Sequence, residues 1–251
     1  MNDAVQVALV TGASRGIGRA LAVGLARAGY DLALCDLASQ PEALAETARQ
    51  VQAEGRSART YDVDVSSKAD TQRLVERVLA DAGRIDVLVN NAGILKLSSL
   101  EDLDEATWDA HQDVNTRGVL FMCQAVLPHM RGRKAGRIVN IASLAGRQGV
   151  PGQGHYAVSK AGVITLTRVL AQEVGSDGIT VNAVCPGIIL TEMGRNNLGS
   201  EEAVKHWENA TALHRLGDPE DVVGPVVFFA SPQSAFVTGQ ALNVCGGLYF
   251  H

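Results

Sequence analysis

The stretch Thr11–Gly18, "TGASRGIG", constrains this chain more than any other. An apolar run, "VQVALVTG" (5–12), leads into it. A helix-periodic segment, "GIGRALAVGLARAGY" (16–30), follows, with Ile17, Leu21 and Leu25 on one face and Gly29 as a stop signal. Gly12, Gly16 and Gly18 permit a tight turn and a close approach of backbone to a ligand. A helix start beyond them offers unpaired N–H groups to a pyrophosphate. The spacing G-x-x-x-G-x-G departs from the dinucleotide fingerprint G-x-G-x-x-G. Its place between the first strand and the first helix is what gives it weight.

The same alternation continues to the end of the chain. Strand-like runs occupy 31–36, 58–65, 85–93, 136–143, 179–187 and 240–247, and helical patterns occupy 41–55, 68–83, 103–132, 154–175 and 218–231. Val-, Ile- and Ala-rich strands separated by helices imply a parallel sheet covered on both faces. Right-handed crossovers make it a doubly wound α/β domain of Rossmann type. No Gly/Ser/Pro-rich linker and no repeat divides residues 1–251, so one domain is expected. The exception to the alternation is 188–216, long and polar between a strand and a helix. It reads as a substrate lid or as a surface helical excursion.

Composition removes several function classes. A formal charge of -5 and a pI of about 5.7 leave no electrostatic footprint for nucleic acid. The basic cluster Arg131, Arg133, Lys134 and Arg137 follows an apolar-periodic segment and suits a helix C-terminus. Cys35, Cys123, Cys185 and Cys245 form no C-x-x-C pair, which points to free thiols in a reducing, cytoplasmic compartment. No apolar run approaches the ~20 residues that span a bilayer, so no membrane partner is expected. The six histidines show no metal-ligand spacing, and a metal is not expected in the chemistry.

Two acidic residues bear on the cofactor. Asp36 ends the second strand, about 20 residues beyond the glycines, where a carboxylate can accept both ribose hydroxyls of an adenosine. It would repel a 2'-phosphate, so NAD is favoured over NADP; Arg15 could face such a phosphate, but Leu37 withholds a second cation. Asp64, closing the third strand, reads as a partner for the adenine amino group or as a helix cap before "SSKAD". Downstream, "YAVSK" places Tyr156 and Lys160 four residues apart, on one face of a helix. An ammonium beside a phenol favours the ionised phenol, so the Tyr156 pKa is expected below its usual value of about 10.

Together "TGASRGIG", "NNAG" (90–93), Asn115, Ser143, "YAVSK" and "CPGIILT" (185–191) resemble the short-chain dehydrogenase/reductase family, in order, from Val5 to Gly247. The resemblance implies a single Rossmann-type domain with a seven-stranded sheet, no metal, and a homotetramer or homodimer. It implies that Tyr156 is the general acid/base and that Lys160 depresses its pKa and binds the nicotinamide ribose. Ser143 is then the hydrogen-bond partner of the substrate oxygen, and Asn115 holds a water in a proton relay behind Lys160. Gly12, Ser14, Arg15, Gly16, Ile17 and Gly18 form the cofactor loop. Asp36, Asp64 and Val65 take the adenosine side, and Asn91, Ala92 and Gly93 pass beneath its ribose. Pro186, Gly187, Ile188, Ile189 and Thr191 line the nicotinamide side.

The substrate is less well encoded. Candidate wall residues are Leu95, Leu144, Arg147, Gln153, His155, Met193, Arg195 and Trp207, with Gln153 and His155 placed to bond substrate hydroxyls. The leading expectation is an NAD-dependent oxidoreductase that interconverts a secondary alcohol, polyol- or sugar-like, and its ketone. One alternative is an NADP-dependent 3-oxoacyl thioester reductase, suggested by "GQGHYAVSK" and opposed by Asp36. Another is a non-catalytic dinucleotide-binding sensor. The tail "NVCGGLYFH" (243–251) is unusually apolar for a terminus, which suggests packing on a neighbouring subunit or on the chain's own lid.

Overall fold

The computed structural model describes residues 5–250. Seven strands form one sheet: β1 (Val7–Thr11), β2 (Asp31–Asp36), β3 (Ala58–Asp62), β4 (Val87–Asn90), β5 (Gly136–Ile141), β6 (Ile179–Pro186) and β7 (Ala241–Val244). Their order is β3-β2-β1-β4-β5-β6-β7, and every neighbouring pair is parallel. Every residue of β1, β4 and β6 is buried, as expected of strands covered on both sides.

The crossover helices are α1 (Gly16–Arg27), α2 (Pro41–Ala53), α3 (Lys68–Ala82), α4 (Glu105–Gln112), α5 (Gly118–Arg133), α6 (Ala145–Gln148), α7 (Gly154–Val174), α8 (Glu192–Leu198), α9 (Glu201–Ala210) and α10 (Val223–Ala230). One core cluster packs α3, α5 and α7 onto the sheet through residues such as Leu74, Met122 and Val163. The other packs α1, α2 and α10 onto the opposite face through Leu21, Val51 and Phe229. The expected lid contains α8 and α9, neither of which buries a residue.

The region 103–132, expected as one helix, is divided. α4 and α5 are separated by a π-helical turn, Asp113–Arg117, in which the amide of Gly118 bonds the carbonyl of Asp113. The widened turn carries the fully buried Asn115. Such turns recur at functional sites because they re-aim one side chain without ending the helix.

Asp86 aligns the amino ends of the sheet. It is 6% exposed, and its Oδ2 accepts the Val7 amide at 2.8 Å and Arg84 Nε at 2.7 Å. Arg133, at the end of α5, reaches Oδ1 at 2.8 Å. Burial pushes the Asp86 pKa up, but the bonds from Arg84, Val7 and Arg133 together outweigh burial and hold it below its ordinary value. A carboxyl depressed in the folded state stabilises above its unfolded pKa, and that contribution fades as pH falls through the folded one. Asp86→Asn is therefore expected to cost about 2 kcal/mol near pH 7. Thermal melts should show the gap between variant and parent closing as pH is lowered below about 4.

Candidate active site

The strand order reverses at β1, whose neighbours β2 and β4 leave in opposite directions. A crevice forms beyond the carboxyl ends of the strands at such a point. Thr11 Oγ1 accepts the amides of Asn91 and Ala92, each at 3.0 Å. Asn91 Nδ2 donates to the carbonyls of Thr11 and Gly12, also at 3.0 Å. A cavity of about 660 Å³ runs from this brace to the lid.

The glycine loop forms one end of the cavity. Gly12 and Gly16 have φ of 64° and 54°, and a Cβ on Gly18 would lie 2.0 Å from the Gly12 carbonyl oxygen. α1 begins with Arg15 at its N-cap, without a capping side-chain bond and with no acidic residue in its first turn. Gly16, Ile17 and Gly18 line the cavity, so this uncapped helix start fits a pyrophosphate. Ser14 is set apart from them: it is buried and does not line the cavity, and its amide bonds Asp36 Oδ2 at 3.0 Å.

Asp36 lies on the cavity wall, its other oxygen accepting the Leu37 amide at 2.8 Å. Arg15 is turned toward the lid, where it pairs with Glu192 at 2.5 Å. Asp64 also lines the cavity. It is not the cap of α3, since Ser67 Oγ accepts the Asp70 amide in that role, and β3 ends before it at Asp62. Asp64 instead closes a local turn with the amide and hydroxyl of Ser66, at 2.9 and 2.6 Å. Val65, Asn91, Ala92 and Gly93 line the same side, and Pro186, Gly187, Ile188, Ile189 and Thr191 line the other. These features fit a nicotinamide dinucleotide laid across the sheet's carboxyl edge.

At the cavity's far end lie Ser143, Tyr156 and Lys160. Ser143 follows β5 and is hydrogen-bonded to the Tyr156 phenol, while its Oγ accepts the Ala145 amide at 3.1 Å. Lys160 Nζ donates to the Ile141 carbonyl at 2.9 Å and sits 5.8 Å from the centre of the Tyr156 ring. The expected lowering of the Tyr156 pKa is not found. Burial raises it, and the bond to Ser143 only partly offsets this. Burial also lowers Lys160, to about 8. Desolvation acts on both groups, and the ammonium is engaged by a backbone carbonyl rather than by the phenol oxygen.

Two expected site residues are placed elsewhere. His155 is 0% exposed and does not line the cavity, because on α7 it points away from the face that carries Tyr156. Its Nε2 bonds the carbonyl of Lys96 at 2.8 Å. Asn115 is likewise buried away from the cavity. Its Oδ1 accepts the Ile94 amide at 2.8 Å, and its Nδ2 donates to the Ile94 carbonyl at 3.0 Å and to Ser159 Oγ at 3.1 Å. A carboxamide committed in this way braces the cleft wall at Ile94.

Of the expected wall, Leu95, Leu144, Gln153, Met193 and Trp207 line the cavity, and Arg147 and Arg195 do not. Arg147 turns beneath the site and bonds the Ala241 carbonyl. Gln153 Nε2 faces Asn197 Oδ1 of α8 at 3.4 Å, linking platform and lid. Sequence reasoning missed Ile94, Leu97, Gln148, Val150, Pro151 and Leu198. For Val150 and Pro151 a signal existed: apolar residues between Gly149 and Gly152, both with positive φ, mark a shaped loop. The tail packs on its own chain, with Leu213 donating its amide to the Gly246 carbonyl at 3.0 Å and Leu248 lining the cavity. His251 lies outside the described residues.

Comparison with known proteins agrees with this geometry. A family model described as enoyl-(acyl carrier protein) reductase matches residues 12–249. The chain is 40% identical over 242 residues to a 3-oxoacyl-acyl-carrier-protein reductase of Staphylococcus epidermidis, covering 96% of this chain and 98% of that one. It is 41% identical over 248 residues to an acetoacetyl-CoA reductase of Shinella zoogloeoides, covering 98% and 99%. The solved structure of levodione reductase superposes with a TM-score of 0.93 at 34% identity, covering 96% of each chain. The curated relatives favour the thioester-reductase expectation over the secondary-alcohol one, and the comparisons do not support NAD over NADP. The chain belongs to the short-chain dehydrogenase/reductase family and is an oxidoreductase acting on CH–OH or C=O groups.

Proposed function

We propose that this chain interconverts a 3-oxoacyl thioester and its 3-hydroxyacyl counterpart, using NAD(H). The observation that carries the reaction type is the convergence of Ser143, Tyr156 and Lys160 at one end of a dinucleotide-sized cleft. The substrate class is supported by the thioester reductases to which the chain is similar over nearly its whole length. The apolar walls, among them Leu95, Val150, Met193 and Trp207, suit an acyl chain.

A bound nicotinamide dinucleotide supplies or accepts the hydride. Gly12, Gly16 and Gly18 would cradle its pyrophosphate, Asp36 its adenosine ribose, and Lys160 its nicotinamide ribose. In the reduction direction Ser143 holds the substrate carbonyl oxygen and Tyr156 donates its phenolic proton to that oxygen. A phenol whose pKa is raised by burial keeps that proton at neutral pH. In the reverse direction Tyr156 accepts the alcohol proton.

The NAD reading is supported by Asp36. Arg15 is the competing argument, and its pair with Glu192 is too exposed to hold it, since such pairs are worth about 0–1 kcal/mol. A carboxylate facing a 2'-phosphate costs more than that.

A second reading, a free secondary alcohol or ketone, has its own observation. The cations among the described lining residues are Arg15, beside the glycine loop, and Lys160, beside Tyr156, so none stands among the apolar wall residues to meet coenzyme A phosphates. The similarity to levodione reductase also favours it. Exposed Phe236 and Phe250 support the homotetramer or homodimer that the family resemblance implies. No helix among the described residues is long and apolar enough to cross a membrane.

The test is nicotinamide absorbance with acetoacetyl-CoA and either NADH or NADPH, beside a panel of alcohols with NAD. Turnover of acetoacetyl-CoA with NADH is expected. Turnover of free alcohols alone would transfer the assignment to the second reading, and a clear NADPH preference would mean that Arg15 outweighs Asp36. With the active substrate, Tyr156→Phe should lower kcat by about 10³-fold and leave NADH affinity near that of the parent. NADH affinity should be constant below the Lys160 pKa and weaken as pH rises past about 8, because only the protonated amine binds the ribose hydroxyls as a cation. Fluorescence titration across that range checks this, and a flat profile would remove Lys160 from the cofactor site.

A further inference from the structure

The cleft wall between Gly93 and Ser98 has no regular secondary structure, yet Ile94, Leu95 and Leu97 line the cavity. Backbone groups in such a wall need partners. At Ile94 one carboxamide, Asn115, takes both amide and carbonyl. At Lys96 two imidazoles divide the same task. The Lys96 amide donates to His111 Nε2 at 3.1 Å, and the Lys96 carbonyl accepts from His155 Nε2 at 2.8 Å.

The protons follow from these contacts. His111 accepts at Nε2, so its proton is on Nδ1, which lies 2.7 Å from the Thr107 carbonyl. His155 donates at Nε2, so its Nδ1 is bare in the neutral ring, and that atom is buried with no partner. The rings meet edge to face, with centroids 4.2 Å apart. His111 is 2% exposed and His155 0%. Burial lowers the His111 pKa and preserves the neutral form that its acceptor role requires.

We infer that His111 and His155 are positioning residues that fix the substrate wall of the cleft by holding both polar groups of Lys96. The inference rests on the reading of this cleft as the substrate site. His155 immediately precedes Tyr156 on α7, so one helical turn carries both the proton donor and half of the clamp. His111 comes from α4, which is tied to α7 by Gln112 Nε2 donating to the His155 carbonyl at 3.1 Å. The clamp thereby sets the distance from Leu95 and Leu97 to the phenol without either histidine touching substrate.

The experiment compares His111→Leu and His155→Leu with His111→Gln and His155→Gln. A glutamine amide end reaches the place of Nε2 and can restore the acceptor or the donor. Hydrogen exchange is followed by mass spectrometry over residues 93–98, together with NADH affinity and steady-state kinetics with acetoacetyl-CoA or the alcohol found active above. The leucine variants should exchange about tenfold faster in that segment and keep NADH affinity within about twofold. Their KM should rise about tenfold with kcat within about threefold, the signature of binding lost equally from ground and transition states when the apolar wall loosens. The glutamine variants should recover both. Unchanged exchange in the folded leucine variants overturns the inference, as does faster exchange with an unchanged KM, or failure of both glutamines to recover. If a leucine variant does not fold, the asparagine variant at that position, whose shorter amide cannot reach Lys96, takes its place. Absence of turnover by the parent with every probe refutes the proposed function and leaves the exchange result to decide the clamp.

Discussion

The site depends on a brace between two strand ends. Thr11 Oγ1 takes the first two amides beyond β4, while Asn91 returns its amide nitrogen to the last carbonyl of β1 and the first beyond it. Neighbouring parallel strands would otherwise end in unpaired backbone groups at the crevice. Satisfying those groups from within leaves the glycine loop free to turn away. It also makes the loop intolerant of side chains: a Cβ on Gly18 would meet both the Gly12 carbonyl and Asn91 Nδ2. The glycine-loop side of the cleft is therefore fixed by two short side chains bonded to backbone and by close backbone packing at Gly18.

The opposite end of the cleft follows a different rule. Tyr156 and Lys160 stand where desolvation moves both pKa values toward neutral forms, the phenol up and the amine down to about 8. Reasoning from the pair's spacing alone counts the attraction between an ammonium and a phenolate and leaves out the cost of burying either. At this site that cost is the larger effect. The pair is thus a protonated phenol beside a readily neutralised amine.

Much of the fold was legible because its signals are local. All seven strands were visible as short apolar runs between helical periods, and the glycine loop was visible from its place. The ends were less legible: 58–65 shortens to Ala58–Asp62 because Val63 to Val65 turn into the cleft wall. The π turn at Asn115 was hidden, since its helical pattern is continuous on either side and only a tertiary contact with Ile94 defines it. His155 was misplaced for a similar reason. Adjacency to Tyr156 in sequence suggested a shared site, but neighbours on a helix point about 100° apart.

The insertion 188–216 shows how polarity between a strand and a helix is put to use. The insertion starts and ends on itself: the Gly217 amide bonds the Ile188 carbonyl at 3.0 Å, and the Leu190 amide bonds the Gly217 carbonyl at 2.8 Å. Arg215 is held by Asp221 at 2.6 Å, and the tail seals the same base through Leu213 and Gly246. Between these anchors α8 and α9 bury nothing, and they are joined at Gly199, whose φ is 73°. Their hold on the cleft consists of the exposed Arg15–Glu192 pair, the long Gln153–Asn197 contact, and the apolar faces of Met193 and Trp207. Few buried contacts mean low local stability. The base of the insertion is therefore anchored to the sheet, whereas α8 and α9 rest on few buried contacts, and the two properties are separated at Thr191 and Ala210, which bound the helical part of the insertion.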